Sequence, residues 1–217
     1  MKSDLRIVSV LLARGGSKGI PRKNIIPLRG KPLIQYAIDA SIQSGADETW
    51  VSTDSDEIAR VCERLGAKTL KRPAELSSDT ASSESALLHF AENVDFDWLI
   101  FIQPTSPLLL SDDIKKGIAK MKEGGYDSVF SAYEEHWMAT WNENGKPRGW
   151  DLSHRPSRQD AERTFRENGA FYITKKANLL KSKLRYSGNI GIVEMPFYRS
   201  FQIDTPEDLA FVEKIII

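Results

Sequence analysis

The sequence predicts an α/β fold, a mostly parallel sheet covered on both faces by helices. Three observations predict it. Short β-branched apolar runs alternate along the 217-residue chain with segments whose apolar residues recur at helical spacing. The first run, Ile7 to Leu12, has the composition of a strand buried on both faces. It passes straight into a glycine-rich basic loop, and in open sheets of this class ligands gather at such carboxyl ends.

The elements follow in order. After the Ile7 to Leu12 strand, Pro32 to Ser44 carries Leu33, Ile34, Ala37, Ile38 and Ile42 at helical spacing and ends near Gly45. Thr49 to Thr53 is a second strand. Asp54-Ser55-Asp56-Glu57 offers Asp54 as an N-cap with Glu three residues on, opening a helix that runs through Leu65 and stops at Gly66. Ala67 to Leu70 is a short strand, and Arg72 to Ser82 a polar loop. Ser83 to Asn93 is a helix. Trp98 to Gln103 is an apolar strand ending in Pro104-Thr105-Ser106-Pro107. Ser111-Asp112-Asp113 caps a helix to about Glu123, and Ser128 to Tyr133 is a strand. Regular structure then lapses until Gly169 to Ile173 and Ile190 to Glu194. At the C-terminus Thr205 is placed as an N-cap and Pro206 at the first helical position, with Asp204 just upstream.

Between Glu134 and Arg166, Trp137, Trp141 and Trp150 sit among Asn, Gly, Pro and Arg, followed by the basic run Arg155-Pro156-Ser157-Arg158-Gln159-Asp160. Tryptophan and arginine are favoured at interfaces. The segment is therefore an insertion that covers the site, an arm that packs against another subunit, or a long surface loop. The expected organisation is one domain over residues 1–217 with 134–166 as that insertion.

Thirty basic and thirty acidic residues cancel, so nothing global points to nucleic acid or an anionic membrane, and any basic site must be local. Cys62 is the single cysteine, which rules out an internal disulfide and suits a reducing compartment. The charged start Met1-Lys2-Ser3-Asp4-Leu5-Arg6 is unlike a signal peptide, and no apolar run is long enough to span a bilayer. A cytoplasmic protein with neither nucleic-acid nor membrane partner is expected. His89, His136 and His154 show no ligand spacing, and Cys62 reads as a small buried hydrophobe.

The loop from Val8 to Asn24 narrows function most. Gly15, Gly16 and Gly19 let the backbone turn sharply and approach an anion. Arg14, Lys18, Arg22 and Lys23 supply positive charge, while Ser17 and Asn24 supply neutral donors. Together they suit a triphosphate. Neither Gly-x-x-x-x-Gly-Lys-Ser/Thr nor Gly-x-Gly-x-x-Gly is present, which counts against a Walker ATPase and a dinucleotide fold.

The run Leu12-Ala13-Arg14-Gly15-Gly16-Ser17-Lys18-Gly19-Ile20-Pro21-Arg22-Lys23-Asn24 resembles the nucleotide-binding signature of the CMP-sialic acid synthetases, the acylneuraminate cytidylyltransferases. Further landmarks of that family occur in the same order. They are Val51-Ser52-Thr53-Asp54, Arg72-Pro73-Ala74-Glu75-Leu76 with Asp79 and Ser82-Ser83, Gln103-Pro104-Thr105-Ser106-Pro107, Arg158-Gln159-Asp160, Arg166-Glu167-Asn168-Gly169 and Ile203-Asp204-Thr205-Pro206-Glu207-Asp208. CMP-Kdo synthetases carry a differently composed loop, which places the chain on the sialic acid side.

The resemblance implies a three-layer, Rossmann-like nucleotidyltransferase fold of the GT-A-like kind. It also implies a reaction in which CTP and a nine-carbon 2-keto sugar acid give a CMP-sugar and pyrophosphate. Arg14, Ser17, Lys23 and Asn24 match positions that hold the triphosphate, beside Gly15 of the same loop, with Lys23 best placed to balance charge at the α-phosphate. Leu12 and Ala13 would turn backbone groups to the cytosine, and Arg72 and Ser83 match base and ribose contacts. Gln103 and Arg166 match positions at the sugar site, where a guanidinium suits the substrate carboxylate. The family is dimeric, with the subunits exchanging an arm that helps complete each other's sugar site. It uses Mg2+, generally through two aspartates one residue apart. Here that pair reads Gln202-Ile203-Asp204, so Asp204 is the expected ligand, with Gln202 lending a neutral oxygen or ordering a water. Two alternatives remain at this point: another sugar nucleotidyltransferase, for instance of CMP-Kdo type, and a catalytically impaired nucleotide-binding homologue.

Overall fold

The computed structural model describes residues 5–136, 138–157, 159–160 and 162–216. Trp137 and Arg158 of the expected insertion lie outside the described residues, as do Met1 to Asp4.

Strand β1 (Ile7–Leu12) is buried along almost its whole length. Its residues alternate between two apolar layers, Ile7 and Leu11 facing one and Val8 and Val10 the other. Ser9 is accommodated in this core through its hydroxyl, which bonds Ser41 and lies 3.3 Å from that of Thr49. A two-residue ladder of β2 (Pro27–Leu28) and β3 (Lys31–Pro32) leads into α1 (Leu33–Ile42), which buries Leu33, Ile34, Ala37 and Ile38 of the predicted face but leaves Ile42 exposed at the helix end. Then come β4 (Glu48–Thr53), α2 (Asp56–Arg64) and β5 (Lys68–Lys71). After them follow α3 (Ser83–Asn93), β6 (Trp98–Ile102) and α4 (Ser111–Glu123).

Two caps differ from the sequence reading. Ser55, not Asp54, caps α2: its extended backbone lets Oγ accept the Ile58 N–H at 3.4 Å. Ser111 is the first helical residue of α4, and the Asp113 carboxylate accepts the Leu110 N–H at 3.1 Å.

Strand β7 (Ser128–Glu135) runs into the insertion, whose described part holds the short ladder β8 (Thr140–Trp141) with β9 (Pro147–Arg148) and a bridge between Asp151 and His154. Strand β10 (Thr164–Lys175) starts well before the Gly169 expected from the sequence. Its first four residues, Thr164 to Glu167, pair with Glu135 to Ala132 but are mostly exposed, so no buried alternation announces them. The ladder then slips between Glu167 and Tyr172, where Gly169 adopts a left-handed φ of 70°. Such a break bends the strand. Helix α5 (Lys176–Ser182), β11 (Ile190–Glu194) and α6 (Pro206–Ile215) close the chain.

The seven-stranded sheet has the order β11-β7-β10-β6-β1-β4-β5. It is mostly parallel, with β10 antiparallel to both of its neighbours. Helices α1, α2 and α4 cover one face and α3 and α5 the other, giving three layers. A third apolar cluster joins Leu28, Leu33, Leu108 and Ile203 to Val212 of α6. The chain leaves β1 outward to β4 and β5 and returns to β6 on the other side of β1. The strand order therefore reverses between β1 and β6, where open α/β sheets leave a crevice. No helix among the described residues is long and apolar enough to cross a membrane.

Candidate active site

A cleft of about 340 Å³ opens at that reversal. The loop after β1 forms one wall, the segment from Arg72 to Ser83 a second, and Phe101 to Thr105 with Asp204 the floor and far side.

The loop is held by its backbone. Ala13 N–H donates to Ser52 O at 3.0 Å, Gly15 N–H to Asp54 Oδ1 at 2.8 Å, and Asn24 Nδ2 to Arg14 O at 3.0 Å. The left-handed residue of the turn is Arg22, with φ 57°. None of the three loop glycines adopts that conformation; Gly15 and Gly19 serve close approach instead. A Cβ on Gly19 would collide with the backbone oxygen of Asp204, so glycine at this position lets the loop seat against the C-terminal segment.

Arg14 lines the cleft and donates to Asp79 Oδ1 at 2.8 Å and Ser78 O at 3.1 Å, while Lys18 lies 2.9 Å from Asp79 Oδ2. Asp79 thus ties the loop to the opposite wall. Its carboxyl is held below the usual carboxylate range, first by the Lys18 hydrogen bond and then by Arg14. Lys23 is more enclosed and donates to Asp204 Oδ1 at 2.8 Å. Asp204 is in turn fixed through its N–H, which donates to Asp208 Oδ2 at 3.0 Å. That carboxylate also accepts Thr205 N–H at 2.8 Å in the capping box of α6.

Arg72 enters the cleft from the end of β5, its own N–H bonded to Thr53 O at 2.8 Å. Only 5% of the residue is exposed, and its Nε and Nη2 are buried without a hydrogen-bond partner. Burial pushes the guanidinium below its ordinary value, an effect that the Asp54 carboxylate opposes and the Arg14 cation adds to. Unmet donors on a buried cation are costly. A ligand bearing acceptors would satisfy them. Ser83 sits in the first turn of α3, behind the capping Ser82. Gln103 follows β6 directly, its N–H donating to Ala170 O at 3.0 Å and its Oε1 accepting from Thr105 Oγ1 at 3.4 Å.

The structure therefore brings together Leu12, Arg14, Ser17, Lys23, Asn24, Arg72, Ser83, Gln103 and Asp204 of the expected set. Others stand apart. Ala13 is fully buried, and its N–H is committed to Ser52. Gly15 spends its N–H on Asp54, and Arg22 ion-pairs with Glu57 on α2, away from the cleft. Arg166 does not line the cleft: it is 57% exposed and pairs with Glu135 at 2.6 Å, which raises its pKa through that hydrogen bond. Gln202 is turned to the β10 bulge, donating to Asn168 O at 2.6 Å and accepting from Thr105 at 3.4 Å. Its amide fills the space that a Cβ on Gly169 would take.

Asp54, expected as the cap of α2, holds Gly15 instead; Phe101 and Asp79 line the cleft although the sequence reading assigns neither to the site; and Asp208 supports Asp204 from the capping box of α6. The Thr205-Pro206-Glu207-Asp208 spacing of a capping box was the available signal for the last.

Residues 8–216 match the profile of the Cytidylyltransferase family. The chain belongs to the Cytidylyltransferase family. Among its relatives, N-acylneuraminate cytidylyltransferase B of Danio rerio is 38% identical over 218 residues, covering 96% of this chain and 51% of that one. The pseudaminic acid cytidylyltransferase of Campylobacter jejuni is 33% identical over 221 residues, covering 96% and 95%. The chain spans about half the length of the N-acylneuraminate cytidylyltransferases it matches from Danio rerio. A solved CMP:2-keto-3-deoxy-manno-octonic acid synthetase complexed with CTP shares the fold with a TM-score of 0.75 at 20% identity, covering 97% of this chain and 98% of that one. The cytidylyltransferase fold and the resemblance read from the sequence motifs agree.

Proposed function

We propose that this cytidylyltransferase transfers CMP from CTP to the anomeric hydroxyl of a nine-carbon 2-keto sugar acid. The observation that carries the reading is the cleft at the β1/β6 reversal, where Arg14, Ser17, Lys23, Asn24 and Arg72, two of whose guanidinium nitrogens are unpartnered, converge with Gln103. The names of the relatives, N-acylneuraminate and pseudaminic acid cytidylyltransferases, support this acceptor class.

The chemistry needs positioning and charge neutralisation more than covalent catalysis. The anomeric hydroxyl loses its proton to water as its oxygen attacks the α-phosphorus, the bond from that phosphorus to the bridging oxygen breaks, and pyrophosphate leaves with that electron pair. Arg14, Ser17 and Asn24 hold the phosphates, and Lys23 balances charge as it builds at the α-phosphate. Arg72 donates to acceptors on the cytosine, Ser83 meets the ribose, and Gln103 orients the sugar. Arg166 binds the sugar carboxylate: its pairing with Glu135 is exposed, and such pairs exchange at little cost.

Magnesium fits the donors in part. Asp204 offers one carboxylate at the cleft, enough for an ion that draws its other ligands from phosphates and water. Gln202 is committed to Asn168 and Thr105 and adds no oxygen there. Bound at Asp204, the ion would neutralise charge on the leaving phosphates. A dimer is part of the same reading. The described part of the insertion exposes Met138 (71%), Trp141 (49%) and Leu152 (66%), a surface suited to a second copy. Light scattering at twice the chain mass, lost on Trp141→Ser, would test it. A cytoplasmic setting suits the free, buried Cys62 thiol.

Pyrophosphate release tests the function. Release is expected with CTP and a nine-carbon 2-keto acid, and not with ATP or UTP. Turnover of an eight-carbon acid alone would point to another sugar nucleotidyltransferase. CTP binding with no release for any acid or metal would point to an impaired homologue.

A further inference from the structure

Asp54 has no part in the mechanism above, although its carboxylate lies directly beneath the phosphate loop. The helix that it was expected to cap is capped by Ser55. Asp54 is free to face the other way, and its Oδ1 accepts the Gly15 N–H at 2.8 Å. The packing at that contact is tight. A Cβ on Gly15 would come within 3.0 Å of Ser55 Cβ and 3.6 Å of Asp54 Oδ2. The backbone of Asp54 is pinned as well, with Lys71 Nζ donating to its carbonyl at 2.9 Å.

The same segment carries the base end of the cleft. Arg72 N–H donates to Thr53 O, so the arginine leaves β5 beside the residue that precedes Asp54. Its buried guanidinium has two unpartnered nitrogens and a like charge, Arg14, nearby. A buried cation needs an opposing charge close at hand. Asp54 is the carboxylate whose field opposes the cost of burying Arg72.

We propose that Asp54 is a positioning residue for the nucleotide, its one carboxylate fixing the phosphate loop through Gly15 and supplying the counter-charge for Arg72. The two ends of the nucleotide site are then set by a single side chain. The inference rests on the CTP reading, because it assigns Arg72 to the base.

Two variants separate its halves. Asp54→Asn keeps an oxygen for Gly15 but removes the charge, while Asp54→Ala removes both. Binding of CTP and of inorganic tripolyphosphate is measured by calorimetry, with thermal unfolding followed alongside. In Asp54→Asn, CTP affinity should fall roughly tenfold, the size expected for one interaction with a charged group, while tripolyphosphate binds as tightly as in the native protein or tighter. In Asp54→Ala both probes should weaken. Native CTP affinity in Asp54→Asn overturns the charge role, and undiminished tripolyphosphate affinity in Asp54→Ala overturns the loop role. Equal loss of both probes in both variants with a lowered Tm means that Asp54 is merely structural. Native protein that shows no preference for CTP over UTP and ATP overturns the functional reading itself, and the inference with it.

Discussion

Lys23 Nζ lies 2.8 Å from Asp204 Oδ1, joining residues 181 positions apart in sequence. The cation assigned to the α-phosphate and the carboxylate assigned to the metal neutralise each other across the cleft. A triphosphate with its cation would replace this pair by two new ones, so the charges are already placed. Lys23→Met should lower kcat for pyrophosphate release by about 10²-fold, the scale of losing one preorganised charge at a transition state, with the far-UV spectrum unchanged.

Gln202 is better explained as the clasp of the β10 bulge than as a metal ligand. In Gln202→Asp a carboxylate would face the Asn168 carbonyl where the amide now donates at 2.6 Å. Urea unfolding should show a loss of about 1–3 kcal/mol, the cost of leaving the partly buried Asn168 carbonyl without its donor. A variant of native stability that reaches full activity at lower magnesium would instead mark the position as a ligand site.

Gly19 sets how closely the loop approaches Asp204. Gly19→Ala puts a methyl group against the Asp204 carbonyl, a backbone atom that cannot swing aside. The loop must lift, and a displacement on the order of 1 Å near the chemistry costs about 10²-fold in rate. Loss of activity with little change in Tm is expected in a thermal melt run beside the kinetic assay.

Asp79 competes with phosphate for the same cations. Through Arg14 and Lys18 it holds the cleft walls together, and both contacts are exposed. Asp79→Asn should tighten tripolyphosphate binding, by no more than about fivefold given the modest worth of surface pairs. Weaker binding would show that Asp79 assists the anion instead.

Cys62 is fully buried on α2, and burial, with Glu63 adding to it, pushes its thiol up to about 12. The folded chain therefore holds the protonated form. Its contribution to stability is complete below the unfolded value of about 8.5 and is lost as pH rises from there toward the folded value. A thiol reagent at pH 8 should label Cys62 only after denaturant is added. Rapid labelling of the native protein would contradict its burial.

Much of this was legible in the chain. The β1 run, the α1 face of Leu33, Ile34, Ala37 and Ile38, and the Thr205 cap with Pro206 depend on contacts within a few residues, and the structure places them where local spacing does. The opening of β10 was not legible, because Thr164 to Glu167 is an exposed stretch whose partner strand lies about thirty residues back, across the insertion. Asp54 was misread for a related reason: Asp54 and Ser55 are both good caps locally, and only the presence of Gly15 above the helix end decides between them.

Local pattern in the chain places most of the long strands and helices and a basic glycine loop at a strand end, and its motifs mark the family, whereas α5 and the short ladders β2–β3 and β8–β9 leave no such signal. Periodicity, capping and turn chemistry act over short distances and are written in neighbouring residues. Which of those residues meet is set by the fold as a whole. The reversal of strand order between β1 and β6 sets the loop beside Gln103 and Arg72 and brings Asp204 to Lys23. The β10 bulge takes Gln202, and Arg166 pairs with Glu135 outside the cleft lining. Such pairings are contacts between segments far apart in the chain, fixed by how sheets and helices close around a shared core, and no local pattern encodes them.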